Sequence, residues 1–470
     1  MIKPISILLA GATLLSGCNL APAFVQPTGV VPASLPQGGV YPEAASNPVA
    51  VADLGWRDFF TDARLREVIA QGLDNNRDLR AAAANVLAAR AQYRVTRADR
   101  LPTASLSGSA TYTDNAAQVA AAGAAAGSDV ESYSADVGVS AFEIDLFGRV
   151  RNQSEAALQQ YFATEEGQRS TRISLIAEIA SAWLTLAADQ DQLRLSRQTL
   201  ASYQETLSLT QAQFRLGTAS ELEARQADVQ YQAARNDVAV LETTVARDRN
   251  ALDLLVGAPV AVELLPEGLS DAGATLAELP IGIQSDVLLT RPDVLEAERK
   301  LKAENADIGA ARAALFPTIS LTASYGSAST ALSDLFSDGS YSHTITPGIS
   351  LPIFDAGRRL GNVRLAEGNA QAAVATYEKA IQTAFREVAD ALAQRGTIDE
   401  QVAAQTARAE SARAAATISE ARYRVGVSSF LVALDAQRTA YSAEQQLLTT
   451  RLSRETNLVD LYRALGGGLR

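Results

Sequence analysis

Phe214-Arg215-Leu216-Gly217-Thr218-Ala219-Ser220 returns as Tyr423-Arg424-Val425-Gly426-Val427-Ser428-Ser429, 209 residues later in a chain of 470. The same offset carries Gly148-Arg149 onto Gly357-Arg358, Glu178-Ile179-Ala180 onto Glu387-Val388-Ala389, and Gly257 onto Gly466. Pro102-Thr103 returns as Pro317-Thr318 at an offset of 215, which places a six-residue length change between the landmarks. Several matches at one offset mark an internal duplication. Each copy reads as strand, loop, strand, very long helix, glycine break, shorter helix.

The long runs decide the fold class. Ile179, Leu186, Leu193, Leu200, Leu207 and Phe214 fall every seven residues, as do Val238, Val245 and Leu252, and again Leu434, Tyr441 and Leu448. A seven-residue apolar repeat predicts helices packed side by side in a left-handed supercoil. Gly148 to Gly217 and Gly357 to Gly426 contain no proline. Fully helical, each run is about 100 Å long at ~1.5 Å per residue, and the returns to Gly257 and Gly466 cover about 60 Å. Further helices are expected near 62–98 and 286–312. Strands are expected at about 102–113 and 134–146, and at about 316–325 and 342–354, from their Ser, Thr, Tyr and Val content and partial alternation. Pro347 inside the last of these predicts a bulge or an edge position.

Composition narrows the function. There are 41 Lys+Arg against 53 Asp+Glu, a net charge of −12, which argues against a nucleic-acid partner. One Cys, one His and one Met leave no cysteine-based metal site, no disulfide and no multi-histidine centre. No nucleophile elbow, phosphate loop or dinucleotide fingerprint occurs, so neither an enzyme nor a cofactor is expected. His343 lies in a strand segment and Trp183 on a long helix, and both read as structural. Hydrophobic content is 47% but aromatic content only 6%, so the apolar side chains are mostly small and suit close helix packing.

The N-terminus reads as an address. Lys3 precedes a short apolar core, Ile5 to Leu15, too brief to span a bilayer. Leu15-Ser16-Gly17-Cys18 resembles a bacterial lipobox, in which the cysteine receives a covalent lipid and becomes the mature N-terminus. The expected division is a lipoprotein signal at 1–17, an extended, poorly ordered tether at 18–55, a first repeat at 56–257, a linker at 258–285 and a second repeat at 286–470. After the signal no stretch of about 20 apolar residues follows, so spanning an outer membrane needs a closed β-barrel. Four strands cannot close one alone, so the chain is either a soluble lipoprotein or pools strands with other copies.

Trp56-Arg57-Asp58-Phe59-Phe60, Asn75-Asn76-Arg77-Asp78-Leu79, Arg291-Pro292-Asp293-Val294 and Ala306-Asp307-Ile308-Gly309-Ala310-Ala311-Arg312 through Phe316-Pro317 carry a resemblance. They look like the outer-membrane factors of bacterial efflux, the TolC-like family, in its NodT-type lipoprotein branch. The resemblance runs from Cys18 to Gly468. It implies a mainly α protein with a transmembrane β portion: a homotrimer whose twelve-stranded barrel in the outer membrane continues as a long periplasmic α-barrel.

It also implies partners and sites. The partners are a periplasmic adaptor (membrane fusion) protein, an inner-membrane resistance-nodulation-division transporter and outer-membrane lipid. Adaptor-contact or tip roles fall on Arg215, Gly217, Thr218, Ser220, Arg424, Gly426 and Ser428. Leu431 and Asp435, at i and i+4, match an apolar and an acidic ring that narrow the tunnel. On the residues alone, Asp435 reads instead as a surface carboxylate paired with Arg438, and only the resemblance favours the constriction. Where the TolC archetype has a further Asp this chain has Val432, so a double acidic ring is not expected. Arg424 is expected to bond to Glu223 in the closed state. Tyr112, Tyr133, Tyr325 and Tyr341 flank the strand ends like an interfacial belt. The resulting function is a passive exit duct for small toxic compounds. Type I protein secretion and a periplasmic coiled-coil scaffold are the alternatives.

Overall fold

The computed structural model describes residues 19–43, 54–113, 130–269, 276–277 and 284–467. Cys18, the signal segment and Gly468 lie outside these residues. In chain order the elements are α1 (Trp56–Phe59), α2 (Ala63–Asn75), α3 (Arg77–Ala98), β1 (Ala104–Thr113), β2 (Val130–Glu143), α4 (Arg149–Arg215) and α5 (Glu221–Val256). They continue as α6 (Pro292–Ala313), β3 (Thr318–Ser329), β4 (Tyr341–Ser350), α7 (Arg358–Arg424) and α8 (Phe430–Ala464). The expected order is present in both copies, and α4 and α7 are each 67 residues long and 209 apart. The chain divides into two compact units. One holds Met1–Pro27, Val86–Thr164 and Ala297–Tyr377, and the other the remainder.

The first unit is built on one antiparallel sheet in the order β1-β2-β3-β4. β2 begins earlier than expected and β3 ends later, because Val130 to Tyr133 and Gly326 to Ser329 continue the ladders beyond the sequence signal. Of the two alternatives expected at Pro347 the edge position holds and the bulge does not: Pro347 pairs with Leu321 in unbroken register. β4 is an edge strand, where proline's missing donor is tolerated. The register shift falls in β2 between Val139 and Phe142, where Ala141 adopts φ 48°. Gly148 (φ 81°) turns β2 into α4, and Asp145 caps that helix by accepting from Arg149 N at 2.7 Å and Arg151 N at 2.8 Å. Phe147 and Phe316, at the base of the sheet, stack with ring centroids 4.7 Å apart.

The second unit holds the main apolar core. Trp56, Phe59 and Phe60 of α1 and its exit are at most 1% exposed. Phe59 stacks on Tyr462 at 4.1 Å, and the Tyr462 hydroxyl donates to Leu54 O at 2.8 Å. Trp183 of α4 is equally buried and donates to Leu264 O at 3.0 Å. One window of α4 is apolar enough to cross a membrane by composition, but 61% of it is buried within the chain, as in a packed core helix. The heptad seam on α4 is tightest here: Ile179, Leu186 and Leu193 are buried, whereas Phe214 is 45% exposed. In α7 and α8 the contact is made by Ala409, Ala412, Ala440, Ala443 and Leu447, small residues that let helices approach closely.

The tether expectation needs correction over residues 19–43. Within the first unit Asn305 donates to Pro22 O, and Gln26 donates to the Tyr377 hydroxyl at 2.8 Å. Within the second, Ser285 Oγ donates to Pro32 O, Ser34 bridges to Gln284, and Leu35 is 3% exposed. The segment is extended, as proline and glycine dictate, yet it is pinned along its length. Low charge reads as disorder in sequence, but here it lets the backbone lie in grooves whose polar side chains satisfy it.

The duplication extends to a polar clasp. Asn76, between α2 and α3, donates to Leu255 O at the end of α5 (2.8 Å) and accepts from Leu79 N. Arg291 sits 215 residues later and donates to Ala464 O at the end of α8 (2.7 Å), a carbonyl 209 residues beyond Leu255. Each copy thus closes its last helix onto the start of the helix that precedes its strand pair, α3 in the first copy and α6 in the second. Arg291 also forks onto Asp293 and reaches Glu387 at 2.8 Å, while being only 7% exposed. Gly257 ends α5 at φ 77°, and a Cβ there would lie 2.6 Å from Asn75 O, so glycine is required both by conformation and by close approach.

The α4–α5 seam carries a second polar feature. Burial, followed by a hydrogen bond with Asp248, pushes the Asp189 carboxyl from its ordinary 3.8 up to about 7. Between about pH 4 and 7 the folded state therefore holds more protons than the unfolded chain, and stability falls as pH rises through that window. Asp189→Asn is expected to flatten the slope of thermal midpoint against pH across it, relative to wild type.

Candidate functional site

The sheet has two chemically opposite faces. Cross-strand partners share a face, so the register sorts them directly. The row Leu106–Val137–Tyr325–His343 and the row Val139–Ala323–Ile345 are apolar or aromatic, as is Ile319 opposite Ile349. The intervening rows Ser105–Gly138–Ser324–Thr344 and Ser107–Asp136–Gly326–Ser342 are small and polar. The apolar face is bare in the chain: Leu106 is 81% exposed, Ile349 73%, Ile345 69% and Tyr325 63%. A patch of this kind is untenable in water and is what a strand set facing lipid requires. His343 stands on that face opposite Tyr325. Tyr112 and Tyr133 meet edge to face at the loop end, hydroxyls 3.0 Å apart. Tyr341 and Tyr325 lie further in, at the levels of Ala135 and Val137, so the four tyrosines do not share one cross-strand level. Among the described residues β1 and β4 are the unpaired edges of the sheet.

The helical tips are built by backbone geometry. Arg215 and Arg424 are the last residues of α4 and α7. Gly217 (φ 74°) and Gly426 (φ 75°) reverse the chain, with Thr218 N donating to Gln213 O and Val427 N to Arg422 O, the six-residue closure of a Schellman turn. Ser220 opens α5 with a full capping box: its Oγ accepts from Glu223 N while Glu223 accepts from Ser220 N at 2.8 Å. Ser429 opens α8 without a side-chain cap. Behind the tips Phe430 (1% exposed), Leu434 and Ala227 form a small core flanked by Leu207 and Tyr423. The Tyr423 hydroxyl donates to Gln213 at 2.9 Å, joining α7 to α4.

The expected Arg424–Glu223 contact is not formed. Arg424 is taken by Glu420 one turn earlier on its own helix and lies 3.9 Å from Glu205 of α4, while Glu223 is folded back into its cap. A capping carboxylate satisfies an orphan backbone donor and gains more there than on an exposed pair. Leu431 (62% exposed) and Asp435 lie on the bare side of α8, opposite the buried Phe430, Ala433 and Leu434. Asp435 makes no ion pair with Arg438 or any other described residue. The tips also display Leu216, Val425 and Val427, 79%, 74% and 64% exposed. Their sequence signal lies beside each reversing glycine: Leu216 precedes Gly217, and Val425 and Val427 flank Gly426.

Comparison with known proteins gives one consistent result. The sequence profile of the outer membrane efflux protein family matches residues 68–258 and 283–467. The chain is 44% identical to the toluene efflux pump outer membrane protein TtgC of Pseudomonas putida, covering 100% of this chain and 96% of the relative. It is 41% identical to outer membrane protein OprJ of Pseudomonas aeruginosa, covering 99% and 95%. The open-state structure of the Neisseria gonorrhoeae outer membrane channel MtrE superposes with a TM-score of 0.85 at 36% identity, covering 96% of this chain and 99% of that one. With a lipid-ready strand face, two 67-residue helices and a duplicated plan, the chain belongs to the outer membrane efflux protein family.

Proposed function

We propose that this chain is one third of a passive exit duct through which small toxic compounds leave the periplasm for the exterior. The observation that carries the reading is the two-faced, open-edged sheet: apolar on one side, Ser/Thr/Gly on the other, with β1 and β4 free to pair. Three copies joined edge to edge give twelve antiparallel strands, an even number whose closure satisfies every backbone group in hydrocarbon. Its repeats, at 56–257 and 286–470 with 258–285 between them, supply paired long helices that continue the tube into the periplasm. Lipid on Cys18 anchors each copy. The tube performs no chemistry and needs no cofactor; an inner-membrane transporter supplies the energy.

An adaptor engages the exposed tips. Arg215, Gly217, Thr218, Ser220, Arg424, Gly426 and Ser428 form that contact, and Leu216, Val425 and Val427 give it an apolar centre of the kind protein interfaces bury. Leu431 and Asp435 line the narrowest part. The relatives named for toluene and antibiotic efflux support apolar toxicants as cargo. Deleting the gene and challenging cells with a panel of drugs and solvents is expected to lower tolerance, with restoration by the wild-type gene. Unchanged tolerance together with loss of a secreted protein would instead assign the duct to protein export.

A further inference from the structure

We infer that Asp136 forms a second acidic ring, inside the barrel, that selects cations at the outer exit of the duct. The inference rests on the twelve-stranded reading above. Among the described strand residues, the polar face of the sheet carries only two charges. Glu143, at the far end of β2, is closed off by Arg149, which donates from Nε at 2.8 Å and from a second nitrogen. Asp136 has no ion pair among the described residues. Its row consists of Ser107, Gly326 and Ser342, none of which can neutralise it.

The backbone around Asp136 is built to accept the carboxylate. A Cβ on Gly326 would lie 2.3 Å from Asp136 Oδ1 and 2.4 Å from Ala135 O, so the side chain rests over bare glycine backbone on the neighbouring strand. Any larger residue at 326 would collide with it. The faces assign the direction: Leu106, Val137 and Tyr325 in the adjoining row point to lipid, so Asp136 points to the bore.

Magnitudes support an effect on ions. Twelve strands about 4.8 Å apart and tilted by about 40° make a barrel about 24 Å across between backbones. A carboxylate reaching about 4–5 Å inward then lies within about 8 Å of the axis, inside the ~10 Å Debye length at 0.1 M salt. Three such charges act on every ion that passes. At 1 M salt the Debye length falls to ~3 Å and the effect disappears. This ring is distinct from Asp435 in unit and element: one stands on β2, the other on α8.

The test uses purified full-length trimers in planar bilayers, with hexaamminecobalt added to one side at a time. Asp136→Asn is expected to weaken block from the barrel-loop side by about tenfold at 0.1 M salt, where Debye screening is incomplete, and to leave block from the helical side unchanged. Asp435→Asn should do the reverse. Asp136→Ser with Ser107→Asp moves the carboxylate one strand along the same row and should restore the block. An unchanged barrel-side curve in Asp136→Asn trimers of normal conductance would overturn the proposal, as would failure of the Ser107→Asp rescue. Wild-type protein that never conducts would instead remove the duct itself.

Discussion

Arg291→Ala is expected to lower the stability of the second unit by about 2–3 kcal/mol, less than for a fully buried ion pair because the Asp293 and Glu387 side chains stay 37% and 34% exposed. The residue is 7% exposed and serves three elements at once: the opening of α6 through Asp293, α7 through Glu387 and the last carbonyl of α8. Alanine leaves Glu387 and Ala464 O without their donor and opens a void where the guanidinium lay. Arg291→Lys should recover only part of the loss, because one ammonium cannot reproduce a fork that reaches Asp293, Glu387 and a carbonyl together. Arg291→Asn is the more telling variant. Asn76 closes the first copy with an amide on Leu255 O, so an amide at 291 should keep the carbonyl bond while stranding Glu387. An intermediate thermal midpoint in detergent, with hydrogen exchange in the last turn of α8 slower than in the alanine variant, is the expected result. A midpoint for Arg291→Ala within error of wild type would show that the clasp carries no stability.

That clasp also shows where the sequence was legible. Glycine positions and heptad spacing are local signals, and they placed both ends of α4 and α7 and the C-terminal ends of α5 and α8 to within about two residues, while α5 and α8 begin about four residues beyond their glycines, after the turn and cap. Strand limits were less accurate, because Gly326 to Ser329 has little strand propensity and is held by pairing with β2, a partner almost 200 residues away. Arg291 and Asn76 stood inside quoted motifs, yet nothing local reveals that each reaches a helix end more than 170 residues away. Arg424 and Glu223 do not meet in this structure for a related reason. The Ser220-x-x-Glu223 pattern was readable as a capping box, and the cap, being closer, takes the carboxylate. The docked 19–43 segment was missed because its bonds run to residues that only the fold brings near.

The location of the two faces can be tested by a pair of neighbours in β4. Ile345 pairs with Ala323 in an apolar row and is 69% exposed in the chain; Thr344 pairs with Ser324 in the adjacent polar row. A lysine on the lipid face of a barrel costs about 2–4 kcal/mol near the bilayer midplane, whereas a lysine in the lumen stays hydrated. Three copies multiply the lipid-facing cost to roughly 6–12 kcal/mol per trimer, comparable to the whole stability of an ordinary domain. Ile345→Lys should therefore abolish heat-resistant trimers on unboiled gels and return cells to the drug sensitivity of the deletion. Thr344→Lys, one residue away and equally cationic, should assemble normally and differ only in ion preference. The contrast separates a duct that enters the membrane from a coiled-coil lipoprotein that does not. In the scaffold reading neither residue meets hydrocarbon, so both lysines would be tolerated alike, and equal tolerance would count decisively against the barrel.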